Sequence, residues 1–175
     1  MYSHLSNSYD ELHRLEQERK IKLILNSIEI KKSDKILDVG CGTALILDCL
    51  KDFNKDFREY AGIDNSSEML EIARKRIKKE KKVRRNIKFI QADAENLPVK
   101  DKSFDIALSI TAIHNFKNPE KALDEIIRAT KKTAVVTILK KSSRFSEIKN
   151  EIRSKFDVVR EIGDDKDVVF VLKMK

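Results

Sequence analysis

The sequence predicts an α/β protein with a mostly parallel sheet of seven strands that ends in an antiparallel hairpin. Short apolar stretches alternate with amphipathic stretches along the chain, which is typical of strands linked by covering helices. A glycine-rich turn, with Gly40 and Gly42, joins the first strand to the next helix. Near the end of the chain, two alternating apolar segments flank a turn at residues 163–166, which indicates a hairpin.

The helices and strands are expected in a regular order. An amphipathic helix at residues 10–27 comes first. Strands are expected at residues 35–39, 60–63, 87–91, 104–110, 133–139, 156–162 and 168–174. Helices are expected between them at residues 44–51, 67–79, 119–130 and 143–154. The helix at 119–130 has the clearest start, because Asn118 can cap it and Pro119 suits its first position.

The composition favours a single domain over residues 1–175, with a helical lid region at 1–30 and a core at 31–175. No apolar run approaches the roughly 18 residues of a membrane span, and no signal peptide is expected. The two cysteines, Cys41 and Cys49, suit a reduced, cytoplasmic protein. No group of Cys and His has zinc-site spacing, so no metal is predicted.

The segment 36–44, Ile-Leu-Asp-Val-Gly-Cys-Gly-Thr-Ala, carries the most specific information about a ligand. The backbone N–H groups of such a turn can bind a nucleotide-like ligand at the carboxyl edge of a parallel sheet. The dinucleotide fingerprint needs a third glycine where Leu45 stands, so the segment does not match the NAD pattern. Asp38, just before the glycines, suits a ligand with an ammonium group and repels a pyrophosphate. The turn therefore indicates a nucleoside that carries an amino acid.

These residues resemble the first motif of the class I S-adenosylmethionine-dependent methyltransferases, with Ala44 at the third glycine position. The resemblance continues in order, since residues 61–64, 91–94 and 104–109 look like the second, third and fourth motifs. It covers nearly the whole chain. It implies a Rossmann-like methyltransferase fold, S-adenosylmethionine as the methyl donor and S-adenosylhomocysteine as the product.

The resemblance also implies which residues bind the cofactor. Asp64 would accept hydrogen bonds from both ribose hydroxyls, and Asp93 would contact the adenine amino group. Tyr9 resembles a tyrosine that family members place over the bound cofactor. The implied cofactor-binding residues are Tyr9, Asp38, Gly40, Cys41, Gly42, Asp64, Asn65, Met69, Asp93, Ala94 and Ser109. His114 is the candidate catalytic residue, as a base or an acceptor contact.

Ordinary structural roles stay open for several of these residues. Asp64 could precede a helix and satisfy its first N–H groups, and Asp10 could cap the first helix. Cys41 is more simply a packing thiol, and we assign it no reactive role. His114 could be an imidazole bonded to nearby backbone, and Tyr9 could only pack the first helix onto the sheet.

The acceptor is less well determined than the donor. Residues 110–116 lack the Asn/Asp-Pro-Pro-Tyr/Phe sequence of enzymes that methylate planar nitrogens. They are similar to the small-molecule branch, which includes quinone-biosynthesis C-methyltransferases, and to related tRNA wobble-uridine enzymes. The basic run at 74–85 could contact nucleic-acid phosphates or be a solvated helix end. The acceptor is therefore predicted to be a small metabolite or an RNA.

A protein partner is part of the prediction as well. Some tRNA and protein methyltransferases of similar design use a small zinc-binding activator protein, and the resemblance extends that expectation to this chain. Two alternatives to an active methyltransferase are a silent cofactor-binding module that acts through a partner and an NAD-dependent oxidoreductase. Leu45 argues against the oxidoreductase, because it replaces the third fingerprint glycine.

Overall fold

The computed structural model describes residues 2–78 and 86–175, with side chains described from His13 onward. Its elements follow in the order α1 (Tyr2–Ser27), β1 (Lys35–Val39), α2 (Ile46–Asp52), β2 (Glu59–Asp64), α3 (Ser67–Lys78), β3 (Ile87–Gln91), β4 (Phe104–Ser109), a short 3-10 helix (Ile113–Asn115), α4 (Pro119–Ala129), β5 (Thr130–Leu139), α5 (Phe145–Lys155), β6 (Phe156–Gly163) and β7 (Asp167–Met174).

The seven strands form one sheet in the order β3-β2-β1-β4-β5-β7-β6. The pairs from β3 through β5 are parallel, whereas β7 runs antiparallel to both β5 and β6. This confirms the predicted parallel sheet with its antiparallel hairpin. The strand order reverses direction between β1 and β4, and ligands of open α/β sheets bind in the crevice at such a point.

Adjacent residues of a strand point to opposite faces of the sheet. Both faces carry apolar side chains, and helices cover each face. Leu37 packs in one core with side chains of α4 and α5 such as Ile126 and Ile152. Ile36, its neighbour, packs in a second core with side chains of α1 and α2 such as Ile24. The sheet is therefore the middle layer of three, and α1 lies on the same face as α2.

Of two predicted helix starts, the structure confirms one and contradicts the other. Asn118 caps α4, since its Oδ1 accepts a hydrogen bond from the Lys121 N–H at 3.1 Å. The expected start of the first helix at Asp10 is wrong, because α1 begins at Tyr2 and Asp10 lies inside it. Residues 2–9 contain no glycine or proline to end the helix there. Asp10 is therefore not a cap.

The short 3-10 helix after β4 has no counterpart in the predicted elements. Three residues are too few to produce a periodic signal in the sequence. In the part of the chain that the structure describes, no helix is both long and apolar enough to cross a bilayer.

Candidate cofactor site

The glycine turn after β1 adopts a left-handed backbone at alternate residues. Gly40, Gly42 and Ala44 have φ values of +75°, +52° and +55°. A side chain is disfavoured at such angles, which explains why the family pattern has glycine at all three positions and why Ala44 is strained. The N–H groups of Gly40 and Cys41 both donate to the Ile63 carbonyl oxygen, at 2.8 and 3.0 Å. These bonds fix the turn to the end of β2.

The two glycines of the turn have different surroundings. A Cβ atom at Gly40 would lie 2.5 Å from the Cβ of Ala112 and 3.1 Å from the Phe116 ring. A Cβ atom at Gly42 would meet none of the described atoms within 4 Å. Gly40 thus allows the segment after β4 to approach closely, whereas Gly42 faces open space.

Asp64, at the end of β2, fixes the glycine turn by a hydrogen bond. One carboxylate oxygen accepts a hydrogen bond from the Gly42 N–H at 2.8 Å, and the other accepts one from the Ser66 N–H at 2.9 Å. Asp64 does not cap α3. Ser66 does so, because its hydroxyl oxygen accepts a hydrogen bond from the Met69 N–H at 3.3 Å.

Asp38 lies deeper in the site and is buried. Its carboxyl accepts a hydrogen bond from the Tyr60 hydroxyl at 2.6 Å. Burial raises the pKa of Asp38 to about 7, and the charge of Asp64 adds to this rise, whereas the Tyr60 hydrogen bond opposes it. A cation placed beside Asp38 would favour the ionised carboxylate.

Two neighbouring cavities meet at the turn. The first, of about 540 Å³, lies among the ends of β1, β2 and β3 and the segment after β4. The second, of about 520 Å³, lies between the turn and α1. Gly40, Gly42, Met69 and Thr111 line both cavities. The two cavities therefore form the halves of one cleft, which we call the cofactor cleft.

Most of the predicted cofactor-binding residues line this cleft. The first cavity is lined by Gly40, Gly42, Asp64, Asn65, Met69, Asp93 and Ala94. The second is lined by Asp38, Gly40, Cys41, Gly42 and Met69. Asp93 also has a local role, since it accepts a hydrogen bond from the Glu95 N–H at 2.9 Å. Burial raises the pKa of the Cys41 thiol well above its usual range, which agrees with a packing role.

Two predicted residues, Ser109 and His114, have a different placement. Ser109 is fully buried and lines neither cavity. His114 also lines neither, and its buried Nδ1 has no hydrogen-bond partner among the described residues. Burial lowers the pKa of His114, which favours the neutral imidazole. The Tyr9 side chain lies outside the described residues.

The sequence of the chain matches a known family over this same region. A family model whose description is a methyltransferase domain matches residues 37–138, which is more than half of the chain. The chain belongs to this methyltransferase family. The match runs from β1 to β5 and so includes the glycine turn and the ends of the strands that line the cofactor cleft.

A sequence relative and two solved structures resemble the chain. The chain is 28% identical over 155 residues to the ubiquinone/menaquinone biosynthesis C-methyltransferase UbiE of Campylobacter jejuni, covering 82% of this chain and 63% of that protein. The chain thus spans less than two thirds of that relative. A SAM-dependent methyltransferase from Aquifex aeolicus has the same fold, with a TM-score of 0.74 and 19% identity over 89% of each chain. A methyltransferase in complex with the Haloferax volcanii Trm112 activator superposes with a TM-score of 0.78 and 18% identity, over 97% of this chain and 95% of that chain.

The sequence prediction missed some of the residues that line the cleft. Thr111 and Phe116 follow β4, and their position after a carboxyl strand end could have identified them. Arg14 and Gln17 line the second cavity from α1, but no motif marks them. Their placement depends on which side of the long helix faces the sheet. Among the described residues, no group of three or more His, Cys, Asp or Glu could hold a metal ion.

Proposed function

We propose that the chain transfers the methyl group of S-adenosylmethionine to an acceptor. One observation carries this proposal. Three carboxylates, from the ends of β1 and β2 and from the residues after β3, border the two adjoining cavities around the glycine turn. They are Asp38, Asp64 and Asp93. Arg14, Arg76 and Lys117 also line the cleft, so its charge is mixed. Each of the three carboxylates favours a hydrogen-bond donor or a positive charge at its own place in the cleft.

The three carboxylates fit the donors that this cofactor offers. Asp38 would hold the α-ammonium group, Asp64 the ribose hydroxyls and Asp93 the adenine amino group. Both oxygens of Asp64 already accept one backbone hydrogen bond each, and each keeps capacity for a second. The cofactor supplies an electrophilic methyl group on a sulfonium sulfur. A pyrophosphate placed beside Asp38 and the glycine turn would instead meet a like charge, which argues against NAD.

We propose His114 as the catalytic base on its protonation state alone, because it lines neither half of the cleft. Its neutral imidazole is the form that can take up a proton, and the lowered pKa maintains that form at neutral pH. A base is needed only for an acceptor that is protonated at its reacting atom. The structural alternative of a backbone-bonded imidazole lacks support at Nδ1, which has no described partner.

Isothermal titration calorimetry tests the cofactor assignment. We expect S-adenosylmethionine and S-adenosylhomocysteine to bind and NAD to give no heat of binding. The D64N variant should bind at least about tenfold more weakly, because hydrogen bonds to a charged group contribute about 1.5–3 kcal/mol. D157N is the matched control, since Asp157 is an exposed residue of β6, outside the cleft. Binding of NAD alone would overturn the proposal.

We infer that the acceptor is a small metabolite or an RNA. The C-methyltransferase relative supports a metabolite, whereas the net charge of +8 supports an anionic acceptor such as RNA. Part of the basic run proposed for RNA contact, residues 79–85, lies outside the described residues. Host extract separated into RNA, protein and metabolite fractions, incubated with the chain and labelled cofactor, identifies the class by the fraction that becomes labelled. Label in the protein fraction alone would contradict both acceptors.

We further propose a small activator protein as a partner. The support is the likeness in fold to the Haloferax volcanii methyltransferase that is bound to Trm112. Affinity purification of the tagged chain from its host should recover a small protein in equal amount. Full methyl transfer by the isolated chain, with no partner recovered, would contradict this proposal.

A further inference from the structure

A buried ion pair lies beneath α1, next to the cofactor cleft. The side chains of Lys20 and Asp167 are only 4% and 2% exposed, and Lys20 Nζ lies 2.5 Å from Asp167 Oδ2. The pair connects α1 to the first residue of β7. A buried pair of this kind contributes little net stability compared with apolar side chains of the same size. Any functional role of the ion pair therefore depends on what else the Lys20 ammonium group contacts.

The ammonium group of Lys20 also donates a hydrogen bond to the hydroxyl of Thr111, at 2.7 Å. That hydroxyl in turn donates to the side-chain oxygen of Gln17 at 3.2 Å. The Thr111 N–H donates to the hydroxyl oxygen of Thr137, at 2.7 Å. Thr111 is thus bonded to both α1 and β5 and is linked to β7 through Lys20 and Asp167.

These bonds hold Thr111 in a strained conformation. Its φ is +54°, in the left-handed region, which is unfavourable for a β-branched residue. Such a conformation persists only where the surrounding contacts determine it, and it is found preferentially at functional sites. The contacts of Lys20, Gln17 and Thr137 are the ones that determine it here.

Thr111 lies at the boundary between the two halves of the cleft. It lies two residues after the end of β4, and β4 pairs with β1, which leads into the glycine turn. Thr111 lines both cavities, so a relaxed backbone at this residue would change both of them. We propose that Lys20 and Asp167 are positioning residues for methyl transfer, which hold Thr111 in the conformation that the bound cofactor requires. This inference rests on the proposed cofactor.

The double variant K20M/D167L tests the positioning role. It replaces the pair with apolar groups of similar size and leaves no unpaired charge, so the thermal unfolding midpoint should stay within a few degrees of the parent. Its affinity for S-adenosylhomocysteine, measured by calorimetry, should fall about tenfold. A merely structural role would change the unfolding midpoint and leave the affinity unchanged, and that result would overturn the proposal.

The exposed ion pair of Glu16 and Lys166 provides the matched control. It also connects α1 to the hairpin turn, with Lys166 Nζ 2.6 Å from the Glu16 carboxylate, but it does not contact Thr111. The E16Q variant should therefore keep the parent affinity. If E16Q lost as much affinity as K20M/D167L, then breaking any link between α1 and the hairpin would weaken binding. That result would overturn the role of Thr111.

The T111V variant provides a second, independent test that leaves the ion pair in place. Valine keeps the shape of threonine but lacks the hydroxyl that Lys20 contacts, so we expect about tenfold weaker binding. When T111V is combined with K20M/D167L, the affinity should fall no further, because both changes break the same linkage. Parent affinity in T111V, or fully additive losses, would overturn the inference. Failure of the parent chain itself to bind would instead count against the proposed cofactor.

Discussion

Gly40 and Gly42 are separated by a single residue, but a side chain at each would have a different effect. Both have a positive φ, so alanine at either position introduces backbone strain of about 1–2 kcal/mol. Only at Gly40 must the new Cβ also displace Ala112, which would lie 2.5 Å away. At Gly42 the new methyl group would enter the open cleft.

This difference leads to a paired prediction. G40A should reduce the free energy of unfolding by more than G42A, as measured by urea denaturation, because it adds a steric clash to the strain. G42A should lose affinity for S-adenosylhomocysteine while losing no more than about 2 kcal/mol of stability, because its methyl group occupies ligand space. Equal stability losses in the two variants would contradict the geometry of the turn.

Asp38 gives the site a dependence on pH. Its pKa is raised from 3.8 in the unfolded chain to about 7 in the folded protein, so the folded protein binds this proton more tightly. The stability that this group contributes is therefore present at low pH and falls as the pH rises from about 4 to about 7. Tyr60 opposes the rise through its hydrogen bond, and Asp64 adds to it.

Cofactor binding should have the opposite pH dependence. An α-ammonium group binds the ionised Asp38, so affinity for S-adenosylmethionine should be about tenfold weaker at pH 5.5 than at pH 7.5. Y60F removes a hydrogen bond that lowers the pKa of Asp38. The pH at which the affinity is halfway between its limits should therefore be higher in Y60F. D38N is the control, because its amide does not titrate. A pH dependence that persists in D38N would exclude Asp38 as its source.

At the scale of the elements, the start of α4 shows how local chemistry fixes a boundary. Asn118 accepts the Lys121 N–H and Pro119 occupies the first helical position. N118A should lower the free energy of unfolding by about 1 kcal/mol, since it leaves that N–H without its cap. N118D should keep nearly all of the stability, because its carboxylate can accept the same bond. Denaturant unfolding of the three proteins provides the comparison.

The elements were largely predictable because each has a local signal. The strands β1 through β4 are short apolar stretches, and the turn between β6 and β7 contains Gly163 and two aspartates. The start of β5 was not predictable, since α4 ends at Ala129 and the strand begins at Thr130 with no connecting loop. Thr130 belongs to both, because its hydroxyl donates to the Ile126 carbonyl of α4 while its backbone pairs with Phe104.

At the scale of the whole molecule, ligand binding should stabilise the fold. A ligand at 100 times its dissociation constant contributes about 2.7 kcal/mol to the free energy of unfolding. For a chain of this length that corresponds to a rise of roughly 5–10 °C in the unfolding midpoint. Scanning calorimetry should show this rise with S-adenosylhomocysteine and none with NAD. D64N should show a smaller rise at the same ligand concentration, and an equal rise would argue against Asp64 as a ligand contact.

Patterns in the sequence predict the parallel sheet, the family and nine of the residues that line the cleft. These depend on local patterns, such as the glycines after β1 and the carboxylates at the strand ends, and parallel strands bring their carboxyl ends to one edge. Which side of α1 faces that edge is seen only in the tertiary structure. It places Lys20 in a buried position against Asp167 and Thr111. Lys20 and Asp167 are 147 positions apart in the chain, and a charged residue gives no sign of burial until its partner is found. Their contact follows from packing, which no local pattern encodes.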